Sequence, residues 1–406
     1  MAGLMRVLVL NAGSSTLKID VLRDDLVESH TVIDPWDGTP DSVDLSAVLA
    51  GGLPIDAVAH RVVHGGRHAT GPAVIDDTVA RAIADHAALA PLHQHRALAA
   101  ITLARAALPD LPHIACFDTA FHATMSAAAR TYALPSAWRR RWGLQRIGFH
   151  GLSHAWAARR GPTIADGTRL RRIVTCHLGS GASACAVVDG RSVDTTMGWT
   201  PLDGLVMATR SGSVDPGVVL WLITEAGLSP AEVRDGLTDH AGLAGLADLA
   251  DLATGEAVPG TAGRSGDDGR RAGDMRALLA ARAAGDEDAE LAVDVYVHRL
   301  RQGIAAMATS AGGMDLLVFT GGVGEHAPEI RSATVAGLGL LGVTIDEDRN
   351  RAATGDAHLT PPGATVRTAV VTAREDIEMA RQVRDLLTEG TRRVSDGPVL
   401  VSRPTG

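Results

Sequence analysis

The chain is expected to fold as an internally duplicated α/β protein, and three observations carry that expectation. Short apolar strands alternate with Ala-rich helical stretches along the chain, the pattern of an α/β layer architecture. Two strand–turn–strand units with the same kind of Gly/Ser turn stand far apart in the sequence. The length, 406 residues, exceeds one ordinary core, so two domains are expected.

Val7–Leu10 predicts the first strand. It runs into Asn11-Ala12-Gly13-Ser14-Ser15-Thr16-Leu17-Lys18 and out through Ile19–Leu22, which is strand, tight turn, strand. Helices are expected over Val79–Leu89 and Ala97–Ala107. The second unit is Ile173–Cys176, then His177-Leu178-Gly179-Ser180-Gly181-Ala182-Ser183, then Ala184–Val188. Laid on the first unit, Asn11 falls on His177, Gly13 on Gly179 and Ser14 on Ser180. Duplication, with one hairpin per domain, accounts for this; chance likeness of two Gly/Ser hairpins is the alternative. A third helix is expected over Glu290–Ala308. The strand Leu316–Phe319 ends in Thr320-Gly321-Gly322-Val323-Gly324-Glu325-His326, ahead of a helix from Glu329. A glycine cluster in that place is where a nucleotide commonly lies. This cluster lacks the full GxGxxG spacing, and GxxxxGK[ST] occurs nowhere, so it reads as neither the dinucleotide fingerprint nor a P-loop. Thr254–Ala272 is predicted to be a long polar surface loop, and the polar tail from Thr388 is predicted to fray.

The net charge is -9. Nucleic acids and anionic membranes need a basic face, so neither is an expected partner. Any phosphate site must then concentrate positive charge locally or borrow it from a metal ion. Cys116, Cys176 and Cys185 have no CxxC spacing and read as buried reduced thiols. No apolar run has signal-peptide or membrane-span length, so a cytoplasmic protein is expected. Lys18 is the only lysine.

Polar residues follow several short apolar strands: His60-Arg61-Val62-Val63-His64, Asp118-Thr119-Ala120-Phe121-His122 and His150-Gly151-Leu152-Ser153-His154. In α/β folds the strand ends converge on the ligand. His64 and His122 read as structural histidines. The i, i+4 pair His150 and His154 has metal spacing only on a helix, which Gly148 and Gly151 oppose, and no HExxH occurs. Asp203–Gly217 places Arg210 among glycines and small hydroxyl residues. It reads either as an ordinary turn or as a loop carrying a guanidinium to an anion. Arg61 and Arg210 as anion forks, Asp118 and Glu375 as hard-oxygen ligands and three Gly-rich turns together suit phosphoryl transfer, which needs positioning and charge neutralisation.

At these segments the chain resembles the acetate/propionate kinase family, of the superfamily that holds sugar kinases, 70-kDa heat-shock ATPases and actin. The resemblance rests on Leu8–Lys18, His60–Gly66, Phe117–His122, Gly148–His154, His177–Ser183, Met197–Arg210, Val318–Glu325 and Arg374–Asp376. It implies two duplicated actin-like ATPase domains of ribonuclease H-like type flanking a nucleotide cleft. The expected division is 1–120 with 377–406, and 121–376. It implies transfer from ATP to acetate with Mg²⁺, or Mn²⁺ in its place, and a homodimer. Propionate or butyrate as acceptor is the alternative, and a nucleotide sensor without catalysis a third reading.

Carried over by position, Asp118, His150 and Arg210 are the catalytic residues. Arg61, Val63, Leu92, Phe149 and Pro201 hold the acyl substrate. Lys18, His177, Leu178, Gly179, Ser180, Gly181, Asp274, Met275, Arg276, Gly322, Val323, Gly324, Glu325 and His326 line the nucleotide, and Asn11 and Glu375 place the metal. The chain departs from the family's pattern at four points. The stretch from Asn11 to Arg61 is short. Gln94 and His95 replace Asn and Pro, Ser180 stands where Asn is usual, and the loop before Asp274 is long.

Overall fold

The computed structural model describes residues 5–13, 16–49, 54–67, 69–86, 91–167, 170–247 and 273–395. The predicted loop Thr254–Ala272 lies outside them, as do Ser14 and Ser15. Two compact units are present, Met1–Ala120 with Arg374–Gly406, and Phe121–Ala373.

The first unit contains β1 (Arg6–Ala12), β2 (Leu17–Arg23), β3 (Leu26–Ile33), β4 (Ala57–Val62), β5 (Ala73–Val74) and β6 (His113–Phe117). They form one sheet in the order β3-β2-β1-β4-β6-β5. β1 and β2 are an antiparallel hairpin, whereas β1, β4 and β6 run parallel. The helix Pro91–Ala107 packs on β1 and β4. Its Ala100, Leu103 and Ala104 enter a core with Leu8, Leu10, Leu17, Ile19, Val58 and Trp36.

The second unit contains β7 (Arg172–Leu178), β8 (Ala182–Val188), β9 (Arg191–Thr195), β10 (Leu316–Thr320), β11 (Ala357–His358) and β12 (Arg367–Val370). Their order is β11-β12-β10-β7-β8-β9. Read from the other edge, this is the first sheet again. β7 and β8 are an antiparallel hairpin, β7, β10 and β12 run parallel, and β11 closes the edge antiparallel to β12. The duplication inferred from two turns therefore extends through all six strands.

β10, Leu-Leu-Val-Phe-Thr, is buried at every position, as expected of a parallel strand covered on both faces. The helix Gly151–Ile164 packs on β7 and β10, with Ala157 and Ala158 against Ile173, Leu316 and Val318. The helix Glu287–Ser310 packs on β7, β8 and β9. It buries Ala289, Ala292, Tyr296, Leu300, Ile304 and Met307, a stripe at helical spacing. Its start is capped by Asp286, whose side chain accepts from the Ala289 N–H.

Two expectations are corrected. The glycine cluster after β10 is not an open turn; Gly321–His326 is itself a short helix, followed by a second one, Pro328–Ala336. Gly321 allows the sharp entry: its φ is +79°, and a Cβ there would lie 2.9 Å from the Leu178 backbone. Of the tail predicted to fray from Thr388, the part through Ser395 is helical, and the remainder lies outside the described residues. Once Ile377, Ala380 and Val383 anchor that helix in the core, each further turn adds hydrogen bonds without a new nucleation cost.

Candidate active site

In the first unit, the carboxyl ends of β1, β4 and β6 bring four polar side chains together. Asn11 is near the end of β1, Arg61 near the end of β4, and Asp118 directly follows β6, its N–H donating to Val62 O at 3.0 Å. Glu375 begins the helix Glu375–Ser395. Arg61 donates to Asp118 Oδ2 from Nη2 at 2.7 Å and from Nε at 3.2 Å. Its Nη1 donates to Asn11 Oδ1 at 3.2 Å and lies 3.5 Å from Glu375 Oε2. Asn11 Nδ2 in turn donates to Glu375 Oε2 at 3.0 Å.

Asp118 is fully buried. Burial pushes its carboxyl up to about 6; Arg61 pulls against the rise and Glu375 adds to it. Burial alone would lower the Arg61 guanidinium, but Asp118 and Glu375 reverse this and raise it. Arg61 therefore stays charged, and Asp118 is the partner whose ionisation is opposed. Lys18 pairs with Asn11 across the β1–β2 hairpin, with its side chain exposed. Val63 is buried. Leu92 lies in the helix Pro91–Ala107, and only its backbone is described.

In the second unit, His150 is the N-cap of the helix Gly151–Ile164 with φ +57°, a left-handed conformation that few non-glycine residues adopt. Its ring lies 4.4 Å, centroid to centroid, from that of His177. His150 Nδ1 is 2.9 Å from Ser183 Oγ. The same Oγ is 2.8 Å from His154 Nε2, and His154 Nδ1 is 2.8 Å from Thr175 Oγ1. His177 Nδ1 is 2.8 Å from Ser153 Oγ. His154 thus sits on a helix after all, one turn beyond His150, but both its nitrogens are taken by hydroxyls. His122 is structural as expected: its Nε2 lies 2.9 Å from Phe149 O, and burial pushes its pKa down to about 4. Phe149 itself is buried.

The segment around Arg210 contains no helix or strand between β9 and the helix Pro216–Thr224, yet it is pinned throughout. Met207 N–H donates to Arg210 O, Leu243 N–H to Met207 O and Ala208 N–H to Ser180 O. Arg210 Nη1 donates to Pro201 O at 3.3 Å. Among the described residues no carboxylate lies within ion-pair distance of Arg210, and burial lowers its pKa. A cation held in that way is a receptor for an anion. Gly181 separates the two groups: a Cβ there would lie 3.2 Å from His150 Nε2 and 3.8 Å from Arg210 Nη1.

The remaining predicted nucleotide residues hold fixed positions. In the β7–β8 turn, Gly179 N–H donates to Gly181 O. The helix Gly321–His326 carries Gly322, Val323, Gly324, Glu325 and His326. Glu325 Oε1 accepts from Gly321 N–H and from Ala373 N–H, both at 2.9 Å, so this carboxylate braces the segment. Arg331, wholly buried, donates from Nη1 to Gly324 O and Glu325 O at 2.8 and 2.9 Å. Asp274 caps the helix Met275–Ala283 through Arg276 N–H and pairs with the Arg276 guanidinium, while Met275 is buried. Sequence reasoning missed Arg331, Thr175 and Ser183. The polar Thr175 and Ser183 inside otherwise apolar strands were the available signal.

The family model described as the acetokinase family matches residues 41–265 and 260–381. The chain belongs to the acetokinase family. Acetate kinase from Deinococcus deserti is 42% identical over 345 residues, 83% of this chain and 80% of that protein. Acetate kinase from Coprothermobacter proteolyticus is 36% identical over 422 residues, 94% of this chain and 99% of that protein. Among solved acetokinase-family structures, Porphyromonas gingivalis acetate kinase matches with TM-score 0.79 and 30% identity, over 94% of this chain and 100% of that one. A propionate kinase from Francisella tularensis subsp. tularensis SCHU S4 matches with TM-score 0.80 and 30% identity, over 93% and 98%. The fold is thus the two-domain actin-like ATPase fold of this family.

Proposed function

We propose that the protein transfers a phosphoryl group reversibly between ATP and acetate, with acetyl phosphate and ADP as the other pair. The observation that carries this is Arg61. Its guanidinium already grips a carboxylate, that of Asp118, with two donors, and that is the mode by which arginine binds a carboxylate substrate. The acceptor carboxylate binds Arg61, and Val63, Leu92, Phe149 and Pro201 contact its alkyl group. Arg210 and His150 meet the charge that grows on the phosphoryl oxygens. Backbone N–H groups of the segments around Gly179–Gly181 and Gly322–His326 cradle the nucleotide phosphates, with Lys18 close to them and Asp274, Met275 and Arg276 beside the nucleoside.

The donors of the first cluster are hard oxygens: the Asn11 amide and the carboxylates of Glu375 and Asp118. They fit Mg²⁺ or Mn²⁺, and Mg²⁺ is commonly held by one or two carboxylates with substrate phosphates. When bound, such an ion neutralises phosphate charge. Asn11 and Glu375 would hold it.

A homodimer is part of the same proposal. The helix Pro216–Thr224 is apolar and buries none of its nine residues; Val218, Leu220 and Trp221 are each more than half exposed. A second copy of the chain covers such a surface. Three buried thiols suit a reducing, cytoplasmic setting.

The likeness to a propionate kinase supports propionate as a second acceptor, since one methylene changes discrimination by only about 1–3 kcal/mol. The test is incubation with Mg-ATP and acetate, propionate or butyrate, with hydroxylamine trapping the acyl phosphate. Hydroxamate from acetate is expected; none from any acid refutes the proposal.

A further inference from the structure

We propose that Thr175, His154 and Ser183 form a hydrogen-bonded positioning chain that holds the ring proton of His150 on Nε2, where it donates to an oxygen of the transferring phosphoryl group. The inference rests on the reading of His150 given above and deepens it: these three residues touch no substrate and act through His150.

The argument is one of counting protons. The chain runs Thr175 Oγ1, His154 Nδ1, His154 Nε2, Ser183 Oγ, His150 Nδ1, with three contacts of 2.8, 2.8 and 2.9 Å. Each hydroxyl carries one proton, and each neutral imidazole carries one. All three hydrogen bonds can then exist together in three ways. In one, Ser183 accepts from both rings, and its own buried O–H is left without an acceptor among the described residues. In the other two every proton points along the chain in the same direction. In the first of these two, Thr175 donates to His154 Nδ1, His154 Nε2–H donates to Ser183, and Ser183 donates to His150 Nδ1. His150 must then carry its own proton on Nε2. In the second, every donor is reversed, and His150 carries its proton on Nδ1.

Thr175 separates the two. It is completely buried on β7, and among the described residues Thr175 Oγ1 has no hydrogen-bond partner besides His154. In the reversed arrangement Thr175 accepts from His154 and its own O–H is left buried without an acceptor. Such a loss disfavours that state. The first arrangement satisfies every group. His154 is suited to the task because burial, with His122 and His177 beside it, keeps its ring neutral far below the usual histidine range. A neutral ring passes on the direction of its neighbour's proton; a charged ring donates from both nitrogens and erases it.

His150 Nε2 faces the place where Gly181 lacks a side chain, with Arg210 Nη1 near the same place. A donor N–H beside a guanidinium suits phosphoryl oxygens that gain charge, whereas a bare nitrogen lone pair would repel them.

The test uses full-length protein with ¹⁵N-labelled histidine. Two-bond ¹H–¹⁵N spectra of the ligand-free enzyme identify the tautomer, and His150→Ala assigns the signal. The expected result is the Nε2–H form of His150. Ser183→Ala should lose that preference and lower kcat by roughly 10- to 100-fold, the scale seen when the hydrogen-bond partner of a working histidine is removed, with KM for acetate little changed. Ser183→Thr keeps the hydroxyl and should restore both tautomer and rate. Two results would overturn the proposal: an Nδ1–H signal in the wild type, or a Ser183→Ala enzyme with unaltered tautomer and kcat. Full activity in His150→Ala would instead remove the catalytic reading on which the proposal rests, whatever tautomer the wild type shows.

Discussion

At the scale of single residues, two arginines have different surroundings, and the roles proposed for them differ accordingly. Arg61 is neutralised by Asp118 and tied to Asn11 and Glu375. Among the described residues, Arg210 has only the Pro201 carbonyl and the Met207 sulfur as hydrogen-bond acceptors. A partly buried guanidinium with no carboxylate within ion-pair distance among the described residues is stabilised most when negative charge appears, which is the basis for proposing that it acts in the transition state. Arg210→Ala is therefore expected to lower kcat by roughly 10³-fold, as loss of a transition-state arginine does. Steady-state kinetics with acetate and ATP would check this, and an effect confined to KM would reassign Arg210 to ground-state binding. Gly181 supplies a second test. A methyl group there sits 3.2 Å from the His150 ring, which must then shift by a few tenths of an ångström. Misplacement near 1 Å costs on the order of 10²-fold, so Gly181→Ala should lose about 10-fold in kcat while thermal unfolding stays close to wild type. The residue types were legible from the sequence, since polar groups at strand ends point to a ligand. Their partners were not: Asn11 meets Glu375 across 364 positions, a distance that only strand order can close.

At the scale of elements, the β1–β2 and β7–β8 hairpins each present a turn at the carboxyl edge of a parallel core. The short apolar strands and their Gly/Ser turns announced them. The Gly321–His326 helix was hidden because glycines are poor helix formers; it persists through outside supports, Glu325 on Gly321 N–H and Arg331 on the last carbonyls. The helix Pro216–Thr224 makes the opposite point. Its composition suggests a core helix, yet it buries nothing in its own chain. If a second copy covers it, Trp221→Asp should convert the dimer to monomers in sedimentation velocity, with the monomer's circular dichroism unchanged. A wild-type protein that sediments as a monomer at micromolar concentration would rule the dimer out.

At the scale of the whole molecule, both units keep neutral histidines inside. Burial lowers His60 to about 3 and His122 to about 4, and it holds His154 well below the usual histidine range. In the unfolded chain these groups titrate near 6.5. Above that value neither state is protonated and the fold keeps its full stability. Below it the unfolded chain binds protons that the folded chain refuses, so stability falls as pH drops toward 4, by up to about 1.4 kcal/mol per unit for each histidine. Asp118 acts in the other direction, because its raised pKa favours the folded state as pH falls from about 6, but the histidines outnumber it. The melting temperature should therefore decline steadily from pH 6.5 to 4.5, and His122→Gln should flatten the decline. A melting temperature that is level or rising over this range would contradict it.

The sequence by itself determined the α/β alternation, the duplication and the identity of the chemical groups, because periodicity and turn chemistry act over a few residues and are written locally. Only the tertiary structure decided which groups meet. Arg61 grips Asp118 because β4 and β6 are parallel neighbours, and Ser183 links two histidines because β8 pairs with β7 beneath the helix Gly151–Ile164. Those pairings depend on burial and strand order summed over the whole chain, and no short window of sequence contains them.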